Sequence, residues 1–283
     1  MSRVAIVTDS AADLMPQVAA AAGIVVVPLE VSFGDERFKA GIELSTERFW
    51  ERMTAPDAPF PKTAAASVGD FQAAFEGCFA AGAEAIVCVG IAATLSGTMK
   101  AARIAREELS RRDIRLVDSG SASMGEGLLA LVGTEMAAAG APAGEIAAAL
   151  EDRKADLNVF IALDTLEYLK RGVRISGTQA AIGTLLSTKP IITIRDGAVD
   201  TVDKVRTRGK ARERVIELLT ERPVERIAIL HTMAEGVEAF RDELVRRVPG
   251  GVDPARVSIQ PVGPSVGPHL GPGGIGGVVL YAR

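Results

Sequence analysis

The residues of this chain best suited to chemistry are three hydroxyl side chains in one short turn, Thr94, Ser96 and Thr98. The turn follows an apolar run, residues 85–91, whose composition predicts a strand buried on both faces. A helix is predicted over residues 99–110, so the turn joins the end of a strand to the start of a helix. Hydroxyls and free backbone N–H groups at such a place can bind an anion without a metal or a formal positive charge. The alternative is that Thr94 or Ser96 only caps the helix.

The chain resembles the DegV family in six segments whose order and spacing extend over nearly its whole length. They are residues 7–10, 60–71, 94–98, 117–119, 166–175 and 263–273. Each segment alone is weakly specific, whereas the set in this order is specific.

The resemblance implies a cytoplasmic bacterial protein that holds one long-chain fatty acid and presents its carboxyl group to a partner fatty-acid kinase. The kinase would make an acyl-phosphate for phospholipid synthesis, so the chain itself is predicted to be a carrier without catalysis and without a cofactor. Matched residue by residue, the family's carboxylate-binding threonine and serine fall on Thr63 and Ser96. The resemblance also puts His269 and Arg171 near the head group, and Gly97 beside Ser96 as a possible support.

The predicted fold class is α/β, with the two domains of a DegV-like fold. Apolar strands and helical segments alternate through the first half of the chain, which is typical of a parallel sheet. The second half has shorter β-rich runs, and Asp196-Gly197 between two of them predicts a hairpin. We therefore predict an N-terminal parallel α/β domain, residues 1–155, and a C-terminal α+β domain with a largely antiparallel sheet, residues 156–283. The head-group site is expected in the first domain and the lipid-tail pocket between or beneath the two.

Several residues near strand ends have two interpretations. Asp9 and Ser10 follow the first strand and are interpreted as helix caps, with support of a ligand head group as the alternative. Residues 10–13 resemble a capping box for a helix that ends at Gly23, and a strand is predicted over residues 24–31. Asp118 and Ser119, in a similar position after another strand, are predicted to be turn residues.

Composition excludes several classes of function. The net charge of −4 gives no basic field for nucleic acid or an anionic membrane surface. The chain is 48% hydrophobic but 4% aromatic, so aliphatic side chains fill the interior and could line a cavity for an alkyl chain. Cys78 and Cys88, with two histidines in the chain, form no recognisable metal site. The alanine-rich stretches are too short for a membrane span, and no signal peptide is predicted.

An enzyme acting through Ser96 is the main rival hypothesis. A hydrolase nucleophile would favour G-x-S-x-G, whereas Ser96 is preceded by Thr94 and Leu95, and the phosphate-binding kinase loop G-x-x-x-x-G-K-[ST] does not occur in the chain. Residues 271–276 match G-x-G-x-x-G, but the seven residues after them predict a strand and not the long helix of a dinucleotide site. A sensor or binder of another small anion in the same crevice stays open.

Overall fold

The computed structural model describes residues 3–110, 112–175 and 188–283. Its strands are β1 (Val4–Asp9), β2 (Val25–Val27), β3 (Glu30–Phe33), β4 (Glu36–Lys39), β5 (Lys62–Ala64), β6 (Ala85–Gly90), β7 (Asp113–Asp118), β8 (Leu157–Ala162), β9 (Lys189–Arg195), β10 (Ala198–Val205), β11 (Val224–His231), β12 (Val257–Pro261) and β13 (Ile275–Tyr281). Its α-helices are α1 (Pro16–Ala22), α2 (Thr46–Met53), α3 (Val68–Ala80), α4 (Thr98–Glu108), α5 (Met124–Ala138), α6 (Ala143–Arg153), α7 (Glu167–Arg171), α8 (Arg208–Leu219), α9 (Val237–Arg247) and α10 (Gly267–Leu270).

The first sheet is parallel, in the order β2-β1-β6-β7. All six residues of β6 are buried, as its apolar run predicts. Helices α3 and α4 pack on one face of the sheet, and α1, α5 and α6 pack on the other. The predicted parallel α/β arrangement is therefore confirmed, and the turn after β6 emerges at the carboxyl edge of the sheet, where ligands bind in folds of this kind.

The second sheet has six strands in the order β10-β9-β8-β13-β11-β12. All its neighbouring strands are antiparallel except β11 and β12. Helices α8 and α9 cover one face, while α5, α7 and α10 contribute to the core on the other. The predicted, largely antiparallel sheet is confirmed, as is the β9–β10 hairpin with Asp196 and Gly197 at its turn. Helix α5 has core residues facing each of the two sheets.

A third, small sheet, in the order β4-β3-β5, was not predicted. It packs with α2 around Phe49 and Trp50, and the indole N–H of Trp50 donates to the carbonyl oxygen of Val262 at 2.9 Å. Strand β5 carries Thr63, so this sheet positions part of the candidate site. The strand predicted over residues 24–31 is in fact β2 and β3, separated at Pro28, which has no N–H to donate to a ladder.

The predicted helix start at residues 10–13 is wrong in detail. Asp9 caps a single 3-10 turn, Ser10–Ala12, by accepting the N–H of Ala11 at 2.9 Å. The chain then turns through Asp13, whose φ of 52° is left-handed, and α1 begins at Pro16. Capping by Asp9 is thus confirmed, although it caps the 3-10 turn and not the α-helix. The helix ends, as predicted, at Gly23, where φ is 67°.

None of the helices in the described ranges has both the length and the hydrophobicity that crossing a bilayer requires.

Candidate ligand-binding site

A cavity lies between the carboxyl edge of the first sheet and one face of the second. It encloses about 790 Å³ of empty space, counted with its opening to solvent. Most of its wall is aliphatic. The second sheet contributes five of these side chains, Val159, Ile161, Ile192, Ile194 and Val199. The rest of the aliphatic wall includes Leu29, Ile91, Leu95 and Leu169.

Thr63 and Ser96 both line this cavity, although 33 positions separate them in the chain. Thr63 enters from β5, and Ser96 enters from the turn after β6. The Oγ atom of Ser96 lies 2.8 Å from Oγ1 of Thr98 and accepts the N–H of Thr98 at 3.3 Å. Ser96 therefore accepts the N–H of the first residue of α4, although Gly97 and not Ser96 is the N-cap residue of that helix, and Ser96 also borders the cavity. These two roles are compatible.

His269 joins Thr63 at the same wall. Its Nε2 atom lies 3.0 Å from Oγ1 of Thr63, and its ring is partly buried. Burial, together with the positive charge of Arg174, lowers the pKa of His269 from 6.5 to about 4, so the imidazole is neutral at pH 7. Among the described residues, Nδ1 has no hydrogen-bond partner. This ring edge faces Gly172, where an added Cβ would overlap Nδ1, so the close approach needs glycine there.

The two arginines of the turn after α7 occupy different places. The Arg171 guanidinium lies 4.7 Å above the Phe60 ring, 55% of its side chain is exposed, and it is outside the cavity wall. Arg174 lines the cavity, and its Nη1 donates to the carbonyl oxygen of Gly172 at 2.6 Å. Of the two, Arg174 is therefore the cation that a bound ligand would meet.

Ser265 is a third hydroxyl on the cavity wall, and its residue is 4% exposed. Its Oγ atom lies 2.8 Å from Oγ of Ser10, which also accepts the N–H of Leu29 at 2.8 Å. If Ser10 donates to Ser265, the Ser265 proton is available to the cavity. Ser10 thus supports the site through Ser265, and does not cap an α-helix.

Two buried carboxyl groups, Asp9 and Glu126, lie together behind the carboxyl edge of the first sheet. Asp9 accepts the N–H of Ile91 at 3.1 Å, and Glu126 accepts the hydroxyl of Thr8 at 2.7 Å. Burial raises the pKa of Asp9 to about 6 and that of Glu126 well above its ordinary value, and the charge of Asp9 raises the latter further. Burial and the neighbouring charge of Asp9 therefore both favour the protonated form of Glu126. The pair fixes the ends of β1 and β6 and the start of α5.

Asp13 is a third buried carboxyl group and connects distant segments. It accepts the hydroxyl of Ser123 at 2.6 Å and the N–H of Gly263 at 2.8 Å. Burial raises its pKa to about 7, and the negative charge of Asp9 acts in the same direction. Ser123 lines the cavity, and Gly263 begins the loop that leads to Ser265 and His269. Asp13 therefore ties the start of α5 to that loop.

Residues 3–282 match the family model described as "Uncharacterised protein, DegV family". The chain belongs to the DegV family. It is 37% identical to a DegV domain-containing protein of Streptomyces coelicolor over 290 residues, 99% of each chain. Among solved structures it is similar to a fatty-acid-binding DegV family protein from Thermus thermophilus, with 30% identity, a TM-score of 0.89 and coverage of 99% of this chain and 100% of that one. It is also similar to DegV, a fatty acid binding protein from Bacillus subtilis, at 29% identity, a TM-score of 0.85 and 99% coverage of both chains.

In this DegV family member, Thr63, Ser96 and His269 all line the same cavity, whereas Gly97 and Arg171 are not part of its lining. Gly97 is the exposed residue before α4, and an added Cβ there would be 3.7 Å from Cβ of Ala65. Their predicted role as head-group supports stays a prediction. Sequence reasoning missed Ser265, Asp13 and Glu126 as parts of the site. For Asp13 and Glu126, the signal available in the sequence was a carboxyl side chain within a segment of apolar or small residues. Among the described residues, no three His, Cys, Asp or Glu side chains are arranged to hold a metal ion.

Proposed function

We propose that this protein binds a long-chain fatty acid, with the carboxylate at Thr63 and Ser96 and the alkyl chain along the aliphatic wall. The observation that carries the proposal is a cavity whose wall is largely aliphatic and also includes Thr63 and Ser96, in a chain of the DegV family. A solved structure from Eubacterium ventriosum, 26% identical with a TM-score of 0.87 and covering 99% of this chain and 98% of that one, is described as a fatty acid (stearic acid)-binding protein. The proposal puts the head group mainly on residues of the first domain, 1–155, and much of the tail wall on residues of the second, 156–283.

The energetics favour such a ligand. Burial of about 15 methylene groups at about 0.8 kcal/mol each gives about 12 kcal/mol before the entropy of binding is subtracted. A buried carboxylate must be hydrogen-bonded, because an unpaired charge would cancel much of that gain. Hydroxyl donors at Thr63 and Ser96 supply this, and the neutral ring of His269 adds no formal charge beside them.

Presentation of the carboxylate to a partner fatty-acid kinase is the second part of the proposal. Hydroxyls that donate single hydrogen bonds leave the carboxylate nucleophilic, whereas a bidentate arginine would neutralise it. The Arg174 side chain is held by the carbonyl oxygen of Gly172, which restrains it from such a pairing. The protein would then act in the cytoplasm as a carrier, without its own catalysis or cofactor.

Extraction of the purified protein under denaturing conditions, followed by mass spectrometry, tests the ligand class. We expect about one equivalent of a long-chain fatty acid. A sugar phosphate or nucleotide found reproducibly instead would favour the rival hypothesis of an enzyme or sensor for another small anion. Addition of a fatty-acid kinase and ATP should then yield acyl-phosphate, whereas ATP turnover by the chain alone would identify it as an enzyme.

A further inference from the structure

The turn after β6 contacts the β9–β10 hairpin through one hydrogen bond. The Thr94 hydroxyl donates to the carbonyl oxygen of Gly197, at the tip of that hairpin. Asp196 and Gly197 both have left-handed φ angles, 51° and 72°, which is the geometry of a type I′ turn. A Cβ added at Gly197 would overlap the Thr94 hydroxyl, so the approach requires glycine at this position. The contact joins a loop of the first sheet to a hairpin of the second.

Two surface clefts meet at this contact, and both adjoin the cavity. One cleft shares the wall residues Val159, Thr193 and Ile194 with the cavity. The other shares Leu95, Arg174 and Val199 with it. Thr94 and Gly197 border both clefts, so their contact lies where the two clefts adjoin, beside a cavity with which each cleft shares wall residues.

The hairpin is held more firmly at its base than at its tip. Strand β9 pairs with β8 at Ile191 and Ile192, and the Thr193 hydroxyl donates to the carbonyl oxygen of Val159 at 2.7 Å. Beyond this point β10 is the edge strand of the sheet as described, and Val199 forms an isolated backbone bridge with Ile175. Outward movement of the tip requires the Thr94 contact and the bridge at Val199 to break, whereas the pairing of the base with β8 can persist.

We propose that the contact between Thr94 and Gly197 is the closure of the route by which the acyl chain enters and leaves the cavity. The proposal rests on the proposed function, since it assumes a fatty acid in the cavity. When the contact opens, the two clefts merge and the wall at Leu95, Ile194 and Val199 becomes accessible from the side. Neither sheet has to unfold for this exchange, and the carboxylate site at Ser96 is not itself altered.

The test is the rate of ligand exchange in Thr94→Val, which keeps the size of the side chain and removes the donor. Loss of one neutral hydrogen bond from the closed state should speed dissociation about fivefold, which is about 1 kcal/mol at about 1.4 kcal/mol per tenfold in rate. Association should rise by the same factor, because the contact is made with and without ligand, so Kd should stay within twofold. Stopped-flow release of cis-parinaric acid, a fluorescent long-chain fatty acid, into excess palmitate measures the rate.

Three further variants make the result specific. Thr94→Ser keeps the donor and should exchange ligand as the wild type does. Gly197→Ala places a methyl group against the Thr94 hydroxyl and should also accelerate exchange. The control for Gly197→Ala is Gly23→Ala. At Gly23 the φ angle is 67° and an added Cβ would meet no atom within 4 Å, so this substitution introduces the strain of a left-handed alanine without a steric clash. Exchange in Gly23→Ala should be unchanged.

An unchanged dissociation rate in folded Thr94→Val would overturn the closure. So would a weaker Kd with unchanged association, because Thr94 would then belong to the head-group site. If the wild type binds no parinaric acid or palmitate at all, the proposed function itself fails and the closure fails with it. These outcomes are distinguishable, because the first two require a wild-type protein that binds both lipids.

Discussion

Replacement of Asp13 by Asn should make the folded protein more stable at neutral and alkaline pH. The Asp13 carboxyl group is 8% exposed and has a pKa of about 7, against 3.8 for an unperturbed aspartate. Because the folded state holds this proton more tightly than the unfolded state, the free energy of unfolding falls as pH rises from about 4 to about 7. An asparagine cannot ionise, so it escapes this loss. Its amide can still accept the N–H of Gly263 and donate to the hydroxyl of Ser123, which replaces both observed hydrogen bonds.

The magnitude follows from the two pKa values. At about 1.4 kcal/mol for each unit of pKa, ionisation of Asp13 costs the fold about 4 kcal/mol when it is complete. About 1 kcal/mol of this is already lost at pH 4.5, so the advantage of Asp13→Asn should grow by about 3 kcal/mol between pH 4.5 and pH 8. The pKa values of Asp9 and Glu126 are also raised in the folded state. Because both residues are present in the wild type and in Asp13→Asn, their contributions to the pH dependence of unfolding largely cancel when the two proteins are compared.

Urea unfolding of the wild type and Asp13→Asn across this pH range measures the effect. Asparagine also tolerates left-handed backbone better than aspartate, which would add a gain that does not depend on pH. Asp57→Asn is the matched control, because Asp57 has a φ of 57° but is exposed. A constant difference between Asp13→Asn and the wild type from pH 4.5 to pH 8 would refute the reasoning.

Three other outcomes are expected. Ser96→Ala or Thr63→Val should weaken palmitate binding about 10- to 150-fold, since a hydrogen bond to a charged group contributes about 1.5–3 kcal/mol. Fluorescence displacement measures this, and a fatty alcohol of equal length should be much less affected. Arg174→Ala should weaken palmitate binding more than Arg171→Ala, because only Arg174 lines the cavity; equal losses would contradict the assignment. Val173→Gly should raise the free energy of unfolding by about 1 kcal/mol, because Val173 is 83% exposed at a φ of 55°; a lower melting temperature would disprove this.

The elements whose signals are local could be predicted from the sequence. Three examples are the buried strand β6, the hairpin turn at Asp196-Gly197 and the end of helix α1 at Gly23. Each depends on residues that are neighbours in the chain, so the local sequence pattern predicts the backbone conformation directly. The alternation of strands and helices then predicts a parallel first sheet and a largely antiparallel second one. The hydroxyls of Thr63 and Ser96 were also visible in the sequence, through the resemblance to the DegV family.

Features that depend on contacts between distant segments could not be predicted in this way, because they arise when the chain has folded. Strands β3, β4 and β5 have three or four residues each, and pairing with one another stabilises them more than their own composition does. Arg171 and Arg174 share one turn, and only packing against Phe60 or the cavity separates their roles.

The burial of Asp13 and the contact of Thr94 with Gly197 likewise join residues that are far apart in the chain. Asp13 is the last residue of the predicted capping box, where an exposed side chain would be expected. It is buried instead, because the loop at Gly263 and the start of α5 pack against it and hydrogen-bond to it. Thr94 and Gly197 lie 103 positions apart, and neither residue carries a local signal for the other. Burial and long-range hydrogen bonds are properties of the assembled fold, so a one-dimensional pattern of side chains does not specify them.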